Sequence, residues 1–500
     1  MRESMLPGEV ARRYATAWPS ETLPQRTEAI VRAHPDRVAL TDADRRFTFA
    51  EMANAIDGLS SHFVHAGVRA GDVVSWQLPN WWEAAVVHHA ALRAGAISNP
   101  LNPAFREREL SLVVAQARPR VLVVPRQWRG FAHEELARTL DVEHVLVVRG
   151  DDPLPHRGDA LPPPPDDPAA LALLLYTSGT TSDPKGVLHT HRSLLYQVAT
   201  FSGAHALTPE DRYLGGPPVA HIAGLSYGIL APFALGTSTA LLDRWDPATA
   251  LETAARERAT FMTGPPTFLL TMAEALGAGR AADLGAFRLF STGGASIPTE
   301  AVREAGARLG CMVKRAYGST EVPFLTATAM DDDEHARLHT DGRALGLNEV
   351  RIESGEILAR SPGMLAGYQD GTDAFTADGW FRTGDLGALD ERGFLRVTGR
   401  LKDIIIRGGE NISAKEIEDL LLQHPGVREA AVVGVADARL GERVCAVIAG
   451  EPTTLEDLTA FLLARGIAKH KLPERVEFRE TLPKTESGKV RKEALRAHLA

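Results

Sequence analysis

Hydrophobic and polar residues follow two patterns along this chain, and they change places at several clear points. Between residues 26 and 150, stretches with helical spacing alternate with short continuous apolar runs. The run EAAVVHHAALR (83–93) is apolar nearly all round and predicts a buried helix. Gly95 stops it, and a short strand follows before Asn99-Pro100. RPRVLVVP (118–125) and HVLVV (144–148) predict further strands, so this region reads as layered α/β. Residues 151–169, DDPLPHRGDALPPPPDDPA, are expected to form a surface loop that does not pack. A second α/β stretch starts with the strand ALALLL (170–175) and runs to about 330. Its extended runs stop in Gly, Pro and Thr at 215–224, 263–266, 291–298 and 317–323, and ligand loops of α/β sheets gather at such carboxyl ends.

From 342 to 400 the pattern shifts to short strands and Gly-rich turns, a small β-rich part. After 400 a separate α+β unit of roughly 100 residues is expected. Ser413 and Glu416 form a capping-box signature for a helix whose apolar face is Ile417, Leu420 and Leu421, and Pro425-Gly426 ends it. Strands at 430–436 and 444–450 and a helix from about 454 complete the unit. The predicted fold is therefore α/β: a large N-terminal domain of several layered sheets plus a small C-terminal domain.

Composition narrows the function. A formal charge of -9 argues against non-specific binding to nucleic acid or to an anionic membrane, though not against a local basic groove. Cys311 and Cys445 match no disulfide or zinc spacing, and the 17 histidines contain no H-E-x-x-H. With no signal-like segment and no apolar run of membrane-spanning length, a cytoplasmic protein is expected.

Four stretches carry candidate chemistry. YTSGTTSDPKG (176–186) follows a strand and is rich in hydroxyls and small residues. Gly179 and Gly186 permit backbone angles closed to other residues, so backbone N–H groups and the hydroxyls of Thr177, Ser178, Thr180 and Thr181 could surround phosphate oxygens. Lys185 adds a mobile positive charge. Gly186 after that lysine excludes a Walker A loop, where Ser or Thr would bind magnesium; an ordinary polar turn is the alternative. In YGSTE (317–321), Tyr317 could stack on a base, Thr320 bond a phosphate and Glu321 ligate Mg²⁺; the same residues also suit a core tyrosine beside a solvated turn. Asp385 of TGD (383–385) has two oxygens that suit vicinal hydroxyls, a very weak signal alone. Lys489 of PKTESGKV (483–490) lies in a turn where a lysine is ordinarily just solvated.

Taken in order, YTSGTTSDPKG, YGSTE, TGD, GRLKDIIIRGGENIS (399–413) and PKTESGKV closely resemble the adenylate-forming superfamily of acyl-CoA synthetases, luciferases and peptide-synthetase adenylation domains. The resemblance spans almost the whole chain. It implies an AMP-binding domain over 1–399, a hinge at 400–402 and a mobile domain over 403–500. On matching positions, the 176–186 loop (Thr177, Ser178, Gly179, Thr180, Thr181, Lys185) would hold the β- and γ-phosphates of ATP. Tyr317, flanked by Gly293, Gly294 and Ala295, would meet adenine; Thr320 the α-phosphate; Glu321 the metal Mg²⁺; Asp385 and Arg400 the ribose. Lys402 matches the hinge residue, and Lys489 the catalytic lysine that bridges the acid and the α-phosphate. The implied reaction joins a carboxylic acid to AMP with release of pyrophosphate. Rotation of the small domain then brings the region of Gly408 and Gly409 to the site for attack by a thiol.

Two positions depart from the family pattern: Ser182 stands where glycine is usual and Ala414 where proline is usual. PPVAHIAGLSYGIL (217–230) matches the substrate-facing region, with His221 beside the acid as a gate residue or base. Ile222 occupies the place where amino-acid-activating relatives commonly carry an aspartate, so an α-ammonium would go unpaired and amino acids are poor candidates. The small residues Ala220, Ala223, Gly224, Ser226 and Gly228 leave room for a fairly bulky apolar acid. The overall look is similar to cyclohexanecarboxylate-type and medium-chain acyl-CoA ligases, with aromatic and terpenoid acids open. Expected partners are the acid, ATP and coenzyme A, with an acyl carrier protein as alternative acceptor and a second copy of the chain as a further candidate. A catalytically quiet nucleotide- or lipid-binding module is the non-enzyme alternative.

Overall fold

The computed structural model describes residues 7–499 except 44, 152, 178–183, 278–281, 294–298, 438, 452 and 486–488. Two large sheets dominate. In the nine-stranded sheet, Met312–Tyr317, Leu289–Thr292, Phe261–Gly264, Arg212–Gly215, Ser238–Leu241 and Val38–Asp42 run parallel in that order, with antiparallel pairs at both edges. The carboxyl ends at Gly215, Gly264, Thr292 and Tyr317 therefore open on one edge, where the loops after them meet.

The seven-stranded sheet runs Gly367–Tyr368, Lys185–Thr190, Leu171–Thr177, Ile97–Pro100, Val73–Trp76, Val121–Pro125 and His144–Val148. Leu171–Thr177 and Lys185–Thr190 pair antiparallel, so the Ser/Thr/Gly-rich stretch is the connection of a hairpin whose last rung is Thr177 with Lys185. One core lies between the large sheets and draws on both, from Ala39 and Leu40 to Val74 and Trp76. Helix Trp82–Arg93 is wholly inside it: every residue from 83 to 92 is buried, as an all-round apolar pattern demands. The strand after it takes in Asn99-Pro100 instead of stopping short, with Asn99 Nδ2 donating to Ser75 Oγ at 2.7 Å.

Residues 153–167 form neither helix nor strand, as expected, but they do pack. Leu154 joins the main core, the N–H of Arg157 donates to the Gly58 carbonyl at 3.1 Å, and the carbonyls of Pro162 and Pro165 accept from Arg93 and Thr22 at 2.8 Å. Prolines lack N–H groups but keep their carbonyls, so helix-borne donors can strap such a segment down.

Residues 349–400 supply a four-stranded antiparallel sheet, Glu349–Glu353, Glu356–Arg360, Phe381–Leu389 and Leu395–Arg400. The small C-terminal unit follows: Ile404–Arg407, Glu410–Ser413, Val427–Asp437, Gly441–Gly450 and Arg475–Phe478 form its sheet. Helices Ala414–Leu421 and Leu455–Ala464 cover one core, and Lys492–Leu499 a second. Ser413 caps its helix, accepting from the Glu416 N–H at 3.4 Å, and Ala414 is buried at the first helical position. The architecture is the expected one, a large N-terminal α/β body with several sheets and a smaller C-terminal α/β domain.

Candidate active site

The open edge of the nine-stranded sheet is built by close backbone approach. A Cβ on Gly293 would lie 2.3 Å from the Ala316 carbonyl, and one on Gly318 would lie 2.3 Å from that of Pro323. Only glycine lets these two loops sit so near their neighbours. The loop leaving Gly215 is held by a residue the sequence reading missed. Asn80, buried, donates through Nδ2 to the carbonyls of Pro217 (3.0 Å), Gly215 (3.2 Å) and Gly216 (3.4 Å), and its Oδ1 accepts from Val219 N–H at 2.8 Å. Its place in LPNWW, just before a buried helix, was the available signal.

Tyr317 ends the strand Met312–Tyr317, and its hydroxyl donates to Asp385 Oδ2 at 2.8 Å. Asp385 is buried and faces Arg400 across the sheet, with Arg400 Nε 2.9 Å from Oδ1. Burial, then the Asp385 charge, raise the Tyr317 phenol, which stays neutral. Four residues further along, Glu321 accepts from the Tyr368 hydroxyl at 2.9 Å. The Thr320 carbonyl accepts from Nε2 of the buried His189 at 2.8 Å, so the second strand of the 171–190 hairpin is tied to the YGSTE turn. The Lys185 ammonium lies 5.4 Å from the centre of the Tyr368 ring, and Thr177 Oγ1 donates to the Lys185 carbonyl at 3.5 Å. His189 and Tyr368 carried no sequence signal.

Lys489 reaches this cluster from the far end of the chain. Burial and the neighbouring guanidinium of Arg400 pull its ammonium down to about 8, against the opposing pull of Asp385 and Glu321. The distant lysine, the carboxylates at 321 and 385 and the arginine at 400 thus form one electrostatic neighbourhood. His221 belongs to it too. Burial, and secondly the Lys489 charge, depress its imidazole to about 4, so it is neutral near pH 7. Its Nδ1 accepts from the Ala223 N–H at 3.4 Å as the N-cap of Ile222–Leu225, which leaves the ring proton on Nε2. In this tautomer Nε2 is a hydrogen-bond donor.

The small residues around His221 do not all widen the acid site. A Cβ on Gly224 would lie 2.1 Å from the Pro218 carbonyl, and one on Gly228 would face Val219, Tyr213 and Leu241 of the core at 3.6–3.8 Å. The Gly224 position admits no side chain, a Cβ at Gly228 would make ordinary contacts, and Ser226 is buried.

Lys402 is exposed in the turn Leu401–Asp403, with Arg400 and Asp403 as charged neighbours; partial desolvation lowers its ammonium. Gly408 and Gly409 form the two-residue turn of a hairpin, with φ of 59° and 90°, and Gly408 N–H donates to Leu440 O at 2.7 Å. This turn packs against the Leu440 bend within the small domain. Ser178, Gly179, Thr180, Thr181, Ser182, Gly294 and Ala295 lie outside the described residues.

Two tied carboxylates, a half-buried tyrosine and a lysine from the far end of the chain meet beside the 171–190 hairpin, an arrangement suited to handling a nucleotide. A family model described as AMP-binding enzyme matches residues 27–369, and one described as AMP-binding enzyme C-terminal domain matches 416–489. A medium-chain fatty-acid–CoA ligase of Escherichia coli (strain K12) is 34% identical, over 96% of this chain and 90% of the relative. A 2-hydroxy-7-methoxy-5-methyl-1-naphthoate–CoA ligase of Streptomyces carzinostaticus is 34% identical, over 98% and 96%. Among solved structures, ATP-bound MatB from Rhodopseudomonas palustris superposes with a TM-score of 0.84 at 29% identity, over 94% of this chain and 98% of that one. The chain belongs to the AMP-binding enzyme family, and to its AMP-forming acyl-CoA synthetases, which adenylate a carboxylic acid with ATP and then form its thioester with coenzyme A.

Proposed function

We propose that this enzyme activates a medium-sized apolar carboxylic acid, and that the cluster around Lys489 is its adenylation centre. The observation that carries the reading is the position of Lys489 beside Glu321, Asp385 and Arg400 although it lies nearly 90 residues beyond Arg400 in sequence. A carboxylic acid with a reference pKa near ~4 is already ionised at neutral pH, so adenylation needs no base. The obstacle is the approach of one anion to another. Lys489 offsets charge on the acid and the α-phosphate and holds them for in-line attack. The carboxylate oxygen bonds to the α-phosphorus, the bond to the β-phosphoryl oxygen breaks, and pyrophosphate leaves. Tyr317 supplies a wall for the adenine, the Asp385–Arg400 pair meets the ribose hydroxyls, and Lys185 with residues 177–181 meets the outer phosphates.

Among the described residues no group of three metal-ligating side chains occurs. Glu321 alone fits Mg²⁺, which often takes one protein carboxylate plus phosphate oxygens and supplies positive charge to them. For the second step, residues 403–500 turn about the hinge at 400–402 relative to the body 1–399, withdrawing Lys489 and bringing Gly408 and Gly409 to the site. The coenzyme A sulfur then attacks the acyl carbon and AMP leaves. The helix after Lys489 is tied to the start of the mobile unit, since Asp403 lies 3.1 Å from Arg496 and 3.9 Å from Lys492, which suits movement as one piece.

The acid class rests on Ile222, which offers no charge for an ammonium, and on relatives named for fatty and aromatic acids. Alicyclic acids of the cyclohexanecarboxylate type belong to the same range. Among the described residues no helix is long and apolar enough to cross a membrane, which suits a cytoplasmic enzyme; a homodimer is compatible with this reading. ATP–pyrophosphate exchange over linear, alicyclic, aromatic and amino acids tests it. Exchange with apolar acids of about six to ten carbons and none with amino acids is expected; preference for amino acids would overturn the acid class. Mass detection of the product with coenzyme A or an acyl carrier protein identifies the acceptor.

A further inference from the structure

Residues 365–369 thread between two loops that handle opposite charges. The Leu365 N–H donates to the Glu321 carbonyl at 2.7 Å, that of Ala366 to the Leu188 carbonyl at 2.7 Å, and that of Gln369 to the Gly186 carbonyl at 2.8 Å. Gly367 and Tyr368 pair antiparallel with Leu188 and Val187. One short strand is thereby pinned to the YGSTE turn at one end and to the phosphate-loop hairpin at the other. Its half-buried Tyr368 repeats the bridge with its side chain: the hydroxyl donates to Glu321 Oε1 at 2.9 Å, and the ring lies under the Lys185 ammonium at 5.4 Å.

Lys185 and Glu321 carry opposite charges around one aromatic side chain. A direct ion pair between them would neutralise both groups before a nucleotide arrived. A phenol prevents this in two ways. Its O–H holds the carboxylate by one oxygen, and its negative ring face offers the ammonium a weaker, non-neutralising partner. Asp370, two residues beyond Tyr368, is a second negative charge within electrostatic reach of Lys185.

We propose that Tyr368 is a positioning residue for the metal–nucleotide complex: its hydroxyl orients Glu321 toward the divalent cation while its ring keeps Lys185 apart, facing the phosphates. The proposal rests on the reading of Glu321 as the residue that holds Mg²⁺. Groups that hydrogen-bond a metal-binding carboxylate typically change metal affinity by about 10–100-fold when removed.

The test compares wild type with Tyr368→Phe, Tyr368→Leu and Glu321→Gln. Mn²⁺ binding is followed by electron paramagnetic resonance with saturating α,β-methylene ATP. Binding of the same analogue without metal is followed by calorimetry. Tyr368→Phe should weaken Mn²⁺ about tenfold or more while leaving metal-free nucleotide binding and the KM for the acid unchanged. Tyr368→Leu should weaken both metal and metal-free nucleotide binding. Wild-type Mn²⁺ affinity in Tyr368→Phe overturns the hydroxyl's role, and equal metal-free affinity in the Phe and Leu variants overturns the ring's. A parallel fall of melting temperature and of every affinity, the KM for acid included, marks a merely structural tyrosine and also overturns it. Unchanged Mn²⁺ affinity in Glu321→Gln defeats the reading of Glu321 and Tyr368's role with it; loss there with none in Tyr368→Phe defeats Tyr368 alone.

Discussion

In the proposed adenylation step Lys489 acts only as an ammonium, and its surroundings set the pH at which it remains one. Burial and Arg400 bring it down to about 8 in the ligand-free protein, so its charge is lost as pH rises through that value. The kcat/KM for ATP in pyrophosphate exchange should therefore fall on the alkaline side of about pH 8, because kcat/KM reports the free enzyme. Lys489→Arg, whose guanidinium keeps its proton throughout, should lose that limb at whatever activity it retains. A level wild-type profile to pH 9.5 would contradict the assignment. Asn80 acts one step removed from the chemistry. Asn80→Ala frees the loop at 215–219 that leads to His221, and each buried polar group left unpaired costs about 1–3 kcal/mol. A rise of about tenfold in the KM for the acid with little change in that for ATP is expected from steady-state kinetics.

At the scale of elements, the parallel strands place their loops on one edge, and the Gly293 and Gly318 positions in two of those loops tolerate no side chain. Gly318→Ala would force a Cβ against the Pro323 carbonyl and shift the YGSTE turn, so adenylation should drop at least about tenfold. Gly203 offers the contrast: it lies inside helix His191–His205 with open space around its Cβ position. Gly203→Ala should stabilise the protein by about 0.5–1 kcal/mol in denaturant titration, with activity unchanged. The strands ending at Gly215, Gly264, Thr292 and Tyr317 were legible because continuous apolar runs stop there in Gly, Pro and Thr. That Tyr317, Glu321, Asp385, Arg400 and Lys489 belong together was legible because they stand in long motifs of fixed order, and the structure brings them into one cluster. What escaped has no local pattern. Gly367–Tyr368 is a two-residue strand that exists only through its hydrogen bonds to neighbouring loops, and a two-residue element has no periodicity to read. The proline-rich strap packs through carbonyls accepting from distant donors, which composition does not reveal. Likewise, Gly224 looks like a space-maker in sequence, but its Cβ position is filled by the Pro218 carbonyl in the fold.

At the scale of the whole molecule, burial of histidines makes stability depend on pH. His89, His133 and His191 are buried, and desolvation lowers each to about 4. Between that value and the unfolded value near ~6.5, the unfolded chain binds more protons, so stability falls as pH falls. Each group contributes up to about 1.4 kcal/mol per pH unit in that window and nothing above it. Melting temperature should be level from pH 7 to 8 and decline steadily from 6.5 to 5. The other molecule-wide feature is the reach of Lys489 from the small domain to charges of the large one, and on the proposed reading one small domain then has two tasks at one site. Measuring the two half-reactions of Lys489→Ala separately tests that division most directly. Acyl-AMP formation from acid and ATP should fall by about 100-fold or more, while thioester formation from supplied acyl-AMP and coenzyme A should stay near the wild-type rate. Equal losses in both half-reactions, or undiminished acyl-AMP formation, would contradict the account.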